Sequence, residues 1–138
     1  MEQNNTFEDL RVWQEGMLLV GAMRSDYTGI DHSDFLDQMQ HYAFGIPTLI
    51  AEGFAKNSTI EFMQSLCAAI YICTKLTAYL HSALEVNIID KTYQRIQLEK
   101  IRKISRMLNS LIKKHGKDSI HFKRSASRSS IYAGLHHV

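Results

Sequence analysis

The stretch from Ala43 to Met63, AFGIPTLIAEGFAKNSTIEFM, places the only proline of the chain inside an otherwise helical apolar pattern. Phe35, Met39, Ala43, Ile46 and Ile50 recur at spacings of four, four, three and four, which is one face of a helix. Pro47 has no N–H, so the bond back to the Ala43 carbonyl is lost and its ring crowds that carbonyl. A kink near Gly45–Ile46 is expected, with the same helix resuming at Ile50. Gly53 falls near the end of this helix, where a left-handed residue is expected. Ser58-Thr59-Ile60-Glu61 then reads as a capping box. In it Ser58 accepts from the Glu61 N–H, and the Glu61 side chain reaches back to the Ser58 N–H. Pro47, Gly53, Ser58 and Glu61 therefore define a corner between two long helices, with a short turn around Ala55 to Ser58.

The rest of the chain reads as helices packed around that corner. With 138 residues, one proline and seven glycines there is little punctuation, which favours long helices. Thr6 to Asp9 resembles a capping box that opens helix 1, which runs to about Arg24. Its core stripe is Leu10, Trp13, Met17 and Val20, widened by Leu18 and Leu19, with Gly16 and Gly21 allowing a neighbouring backbone to approach closely. Helix 2 runs from Ser33 or Asp34 to about Phe54. Helix 3 follows the Ser58 cap to about Leu84, with Phe62, Leu66, Ala69, Cys73, Leu76 and Leu80 inward. Asp90 caps helix 4, which runs from about Lys91 to Lys114, with Gly116 as its stop. Tyr93, Ile101, Ile104, Leu108, Leu111 and Ile112 face inward. The fold class is all-α, an antiparallel up-down-up-down four-helix bundle over residues 1–116. Residues 117–138, KDSIHFKRSASRSSIYAGLHHV, form a basic, Ser-rich arm.

Several functional classes are excluded or disfavoured. No run of about 18 apolar residues exists, so no membrane span is expected. The polar start MEQNNTFEDL is unlike a secretory signal, and a cytoplasmic location is expected. Cys67 and Cys73 are six residues apart on one helix and cannot pair within it, so both read as reduced thiols. The seven histidines form no i, i+4 pair within one helix, so no metal site is assigned. There is no Gly-rich phosphate loop, nucleophile elbow or carboxylate pair placed for acid–base work, so neither a cofactor nor an enzymatic activity is assigned.

Charge and apolar width carry the positive signals. Residues 1–90 hold four basic and twelve acidic side chains, and residues 91–138 hold twelve basic and two acidic ones, net charges of −8 and +10. This asymmetry points to an anionic partner for the C-terminal part. Arg102, Lys103, Arg106, Lys113 and Lys114 on helix 4, with Lys123, Arg124 and Arg128 on the arm, are the candidate phosphate contacts. Ala68 to Cys73 has no polar position apart from the Tyr71 hydroxyl, and Tyr42 to Leu49 is similarly wide. A helix that is apolar nearly all round is buried on more than one side. Tyr42, Phe44, Ile70, Tyr71 and Ile72 are accordingly the candidate contacts between copies of the chain.

Three runs in this chain, FEDLRVWQ (Phe7 to Gln14), IPTLIAEGF (Ile46 to Phe54) and RMLNSLI (Arg106 to Ile112), resemble in order and spacing the four-helix-bundle family named for proteins encoded in 23S rRNA intervening sequences. The likeness covers roughly Phe7 to Lys114. The accessory protein of diversity-generating retroelements, Avd, is a more distant relative of the same fold. The resemblance implies a homopentameric, barrel-like ring without enzymatic activity. For the Avd relatives it implies a basic exterior that binds nucleic acid and an association with a reverse transcriptase. Family members often carry an arginine pair in a run like QLRRAA before the corner. Here Gln38-Met39-Gln40-His41-Tyr42-Ala43 stands in its place, and Thr48-Leu49 replaces the usual Ser-Asn after the proline. The basic charge has moved to helix 4 and the arm. Two readings follow: a homo-oligomeric scaffold that binds RNA or DNA electrostatically, as accessory to a nucleic-acid enzyme such as a reverse transcriptase, or a protein-interaction module that presents Ile131, Tyr132 and Leu135 to a partner.

Overall fold

The computed structural model describes residues 6–29 and 32–118. A short 3-10 turn, Phe7–Asp9, precedes four helices: α1 (Arg11–Ser25), α2 (Ser33–Ala55), α3 (Thr59–Glu85) and α4 (Lys91–Asp118). No strand is present among the described residues. α1 packs on α2, α2 on α3 and α3 on α4, and α4 returns to α1, which closes a four-helix bundle. Along each seam the contact register rises on one helix as it falls on the next. Arg24 meets Asp37 at 2.5 Å, Val20 accepts from Gln40 at 2.8 Å and Gly16 lies against Pro47. Phe54 meets Phe62, and Tyr42 meets Tyr79.

The inward faces of α2, α3 and α4 are those that helical periodicity requires. Met39, Ala43, Ile46 and Ile50 are buried on α2, and Leu66, Ala69, Cys73, Leu76 and Leu80 on α3. Tyr93, Ile101, Ile104 and Leu108 complete the core from α4, while Leu111 and Ile112 are only half-buried beside it. α2 runs without interruption through Pro47, which is itself buried. Pro47 faces Gly16 of α1, where an added Cβ would stand 3.3 Å from the ring Cδ. The glycine thus makes room for the one residue of α2 that lacks an N–H.

Four local expectations need correction. The Thr6–Asp9 box closes the 3-10 turn, not α1: the Thr6 N–H donates to Asp9 Oδ2 at 3.1 Å, and the extended Leu10 then separates turn from helix. Starting α1 at Arg11 turns its core face to Val12, Gly16, Leu19, Val20 and Met23, and leaves Met17 and Leu18 outward, Leu18 at 65% exposure. Gly53 is helical, and the left-handed residue after α2 is Asn57, with φ 54°. Gly53 instead lets α3 approach, because a Cβ there would lie 2.5 Å from Ser65 Cβ. Ser58 does accept from the Glu61 N–H, at 3.3 Å, but the Glu61 carboxylate turns to Lys56, 3.7 Å away. Finally, α4 continues through Gly116 to Asp118. Its other end agrees with expectation: Asp90 Oδ1 accepts from the Tyr93 N–H at 2.8 Å.

Candidate nucleic-acid interface

α4 is the most amphipathic element, with an aliphatic inner face and cations outside. Its exposed basic residues are not evenly spread. Lys91, Arg95, Arg102, Arg106 and Lys113 are spaced four, seven, four and seven residues apart, and all five are exposed. At 3.6 residues per turn this spacing keeps them within about 60° of one another along a line of roughly 33 Å. None of the five makes an ion pair among the described residues. Glu99, exposed beside the line, is the acidic residue among them.

Of the residues named from sequence, Arg102, Arg106 and Lys113 lie on this stripe. Lys103 and Lys114 are exposed on the flank nearer α1. Lys103 has already found a partner: its Nζ donates to Glu15 Oε2 of α1 at 3.2 Å. Its charge is partly cancelled where Arg102 and Arg106 keep theirs. Arg95 and Lys91 belong to the stripe and were missed. The four-and-seven repeat from Lys91 to Lys113 was available in the sequence as their signal. Lys123, Arg124, Arg128, Ile131, Tyr132 and Leu135 lie outside the described residues.

The acidic half of the chain is more committed. Asp37 pairs with Arg24, Glu61 faces Lys56, Asp90 caps α4, and Asp26 accepts from Gln97 Nε2 at 2.8 Å. The basic stripe thus faces solvent with little opposing charge on its own helix. On the α2–α3 side, Tyr42 and Tyr79 stack at 5.2 Å, with Lys75 Nζ 4.2 Å above the Tyr42 ring. The Tyr79 hydroxyl and the Lys75 charge hold the Tyr42 hydroxyl below its usual pKa. Phe44, two residues on and so on the opposite side of α2, is 47% exposed, Ile70 and Tyr71 are half-buried, and Ile72 turns into the core of its own chain against Gly45. Of the five candidate contacts, Phe44 is exposed, Tyr42, Ile70 and Tyr71 are half-buried, and Ile72 is buried. Among the described residues no group of three or more His, Cys, Asp or Glu side chains is placed to hold a metal, and no helix is long and apolar enough to cross a membrane.

Comparison with curated proteins and with solved structures returned no match. The family model described as 23S rRNA-intervening sequence protein matches residues 8–110, about three quarters of the chain. That span takes in the Pro47 corner, the whole core and the stripe as far as Arg106, and leaves Lys113, Lys114 and the arm beyond it. With the matched span and the four-helix bundle in agreement, the chain belongs to the 23S rRNA-intervening sequence protein family.

Proposed function

We propose that this protein is a non-enzymatic, homo-oligomeric scaffold that holds RNA or DNA by its phosphates. The observation that carries the reading is the α4 stripe: five exposed cations on one line, none of them in an ion pair among the described residues. Lysine and arginine arrayed in this way displace counterions from a phosphate backbone and give affinity without base readout. Membership of a family named for an rRNA element makes RNA the first nucleic acid to test. Beyond α4 the sequence adds three more cations, Lys123, Arg124 and Arg128.

Self-association rests on a second observation. Phe44 is exposed on α2, and Tyr42, Ile70 and Tyr71 keep part of their aromatic and aliphatic surface accessible on α2 and α3. A ring of copies joined there, a pentamer in the reading from family likeness, would multiply weak phosphate contacts by avidity. In that arrangement the protein serves a nucleic-acid enzyme, such as a reverse transcriptase, by presenting its template.

Fluorescence anisotropy of labelled RNA and DNA across a salt series tests the reading, with the full chain compared against one ending at Asp118. Affinity that falls steeply with salt, and weakens without the arm, is expected. Absence of binding by both chains at low salt would sink the phosphate reading and leave the apolar residues of the arm as the feature to pursue.

A further inference from the structure

Beside the stripe, α4 and the start of α1 enclose a groove of about 450 Å³. Its floor is aliphatic, built from Leu10, Met107 and Leu111, and its rims carry Arg11 on one side and Lys103 and Arg106 on the other. Leu10 and Leu111 also line a second hollow of about 340 Å³, which continues towards the α2–α3 turn past Lys114. The two form one trough along α4 from Lys103 to His115, roughly 18 Å or a little over three helical turns. Arg11 and Arg106 are exposed and make no ion pair among the described residues. Asp9, the acidic residue at the edge, is already turned to the Thr6 N–H.

We propose that this trough docks an acidic amphipathic helix of a partner protein, laid along α4 as a fifth helix. The aliphatic floor calls for apolar side chains at i, i+3, i+4 and i+7, and cations on both rims call for carboxylates flanking that face. Uncommitted guanidiniums suit carboxylates because each can engage two oxygens. Nucleic acid fits this half of the trough less well: no aromatic ring lines it, so a base finds no π-face on which to stack. Arg106 stands on both the stripe and the trough rim, whereas Leu10, Arg11, Met107 and Leu111 belong to the trough alone.

The test is selection of displayed helical peptides of about 18 residues on the full-length protein, followed by anisotropy of the enriched sequences. Enriched peptides are expected to carry aliphatic residues at helical spacing flanked by Asp or Glu. Their affinity is expected to fall by about tenfold or more on combining Arg11→Glu with Arg106→Glu, and similarly on Met107→Glu. Both arginines are exposed, so that pair leaves the core intact. Arg95→Gln with Arg102→Gln is expected to leave peptide affinity unchanged. The proposal is overturned by enrichment of no sequence, by enrichment of neutral or basic ones, or by affinities indifferent to the trough variants. It is also overturned if Arg106→Glu lowers the molar mass of the free protein, which would assign the trough to a second copy. A single-stranded RNA that loses as much affinity on Met107→Glu as on Arg102→Gln would give the trough to nucleic acid instead.

Discussion

Replacing Gly53 and Gly21 by alanine is the same chemical change inside two helices, and opposite effects are expected. Alanine is favoured over glycine in a helix by about 0.5–1 kcal/mol. At Gly21, exposed on α1, an added Cβ meets nothing within 4 Å, so that gain is realised in full. At Gly53 the Cβ would stand 2.5 Å from Ser65 Cβ and 2.6 Å from its Oγ. Carbon atoms rest at about 3.5–4 Å, so α3 must retreat by roughly 1 Å across a seam that buries Phe62 and Leu66. Overpacking of this kind costs about 1–3 kcal/mol, which exceeds the propensity gain. The expected net effects are a gain of about 0.5–1 kcal/mol for Gly21→Ala and a loss of about 0.5–2 kcal/mol for Gly53→Ala. In a chain of this size, 1 kcal/mol moves the thermal midpoint by about 4 °C. Urea midpoints and calorimetry on both variants read this directly, and adding Ser65→Gly to Gly53→Ala should recover part of the loss. A Gly53→Ala protein as stable as the unsubstituted chain would refute the close approach of α2 and α3.

Three further outcomes are expected. Ser58→Ala should destabilise by about 1 kcal/mol because the Glu61 N–H loses its acceptor, whereas Glu61→Gln should stay within about 0.5 kcal/mol; equal losses in urea melts would restore the reciprocal cap. Burial pushes the Cys73 thiol from 9.0 up to about 11, and burial likewise raises the Tyr93 hydroxyl. Since the unfolded chain ionises first, the Cys73 contribution is complete below pH 9 and is lost as pH rises towards 11, by about 2–3 kcal/mol, so a urea midpoint that stays flat from pH 8 to 11 would contradict its burial. Lys103→Gln should weaken RNA binding less than Arg102→Gln does, because Glu15 already occupies the Lys103 ammonium, and an equal loss in anisotropy would show that this surface pair does not persist in solution.

The Ser58 acceptor contact, the Asp90 cap and the inward faces of α2 to α4 were legible because each is a local pattern. Periodicity or a cap fixes them without reference to a neighbour. The misreadings arose where a tertiary contact decides. Gly53 looked like a helix stop, yet it is spared a side chain because Ser65 crosses there, and Asn57 takes the left-handed turn. The α1 face was assigned about one residue out of phase, since the Thr6–Asp9 box closes a separate turn and Leu10 breaks the register. Gly116 does not stop α4, where it is buried. Gln97, fully buried with its Nε2 on Asp26 and its Oε1 unpartnered among the described residues, left no mark in the apolar pattern. For the candidate interface, charge segregation alone pointed to α4. Separating stripe from flank required knowing that Lys103 leans to Glu15 while Arg95 stands in line with Arg102.

The central claim is that the α4 stripe neutralises phosphates, and the salt dependence of RNA affinity tests it most directly. Affinity should be measured as a function of salt for the full chain and for a variant with Arg95, Arg102, Arg106 and Lys113 all changed to Gln. Each phosphate contact contributes about 0.7–0.9 to the slope of log affinity against log salt, so the variant should lose a slope of about 3 together with most of its low-salt affinity. An unchanged slope in the variant would place the phosphate contacts elsewhere and contradict the assignment of the stripe.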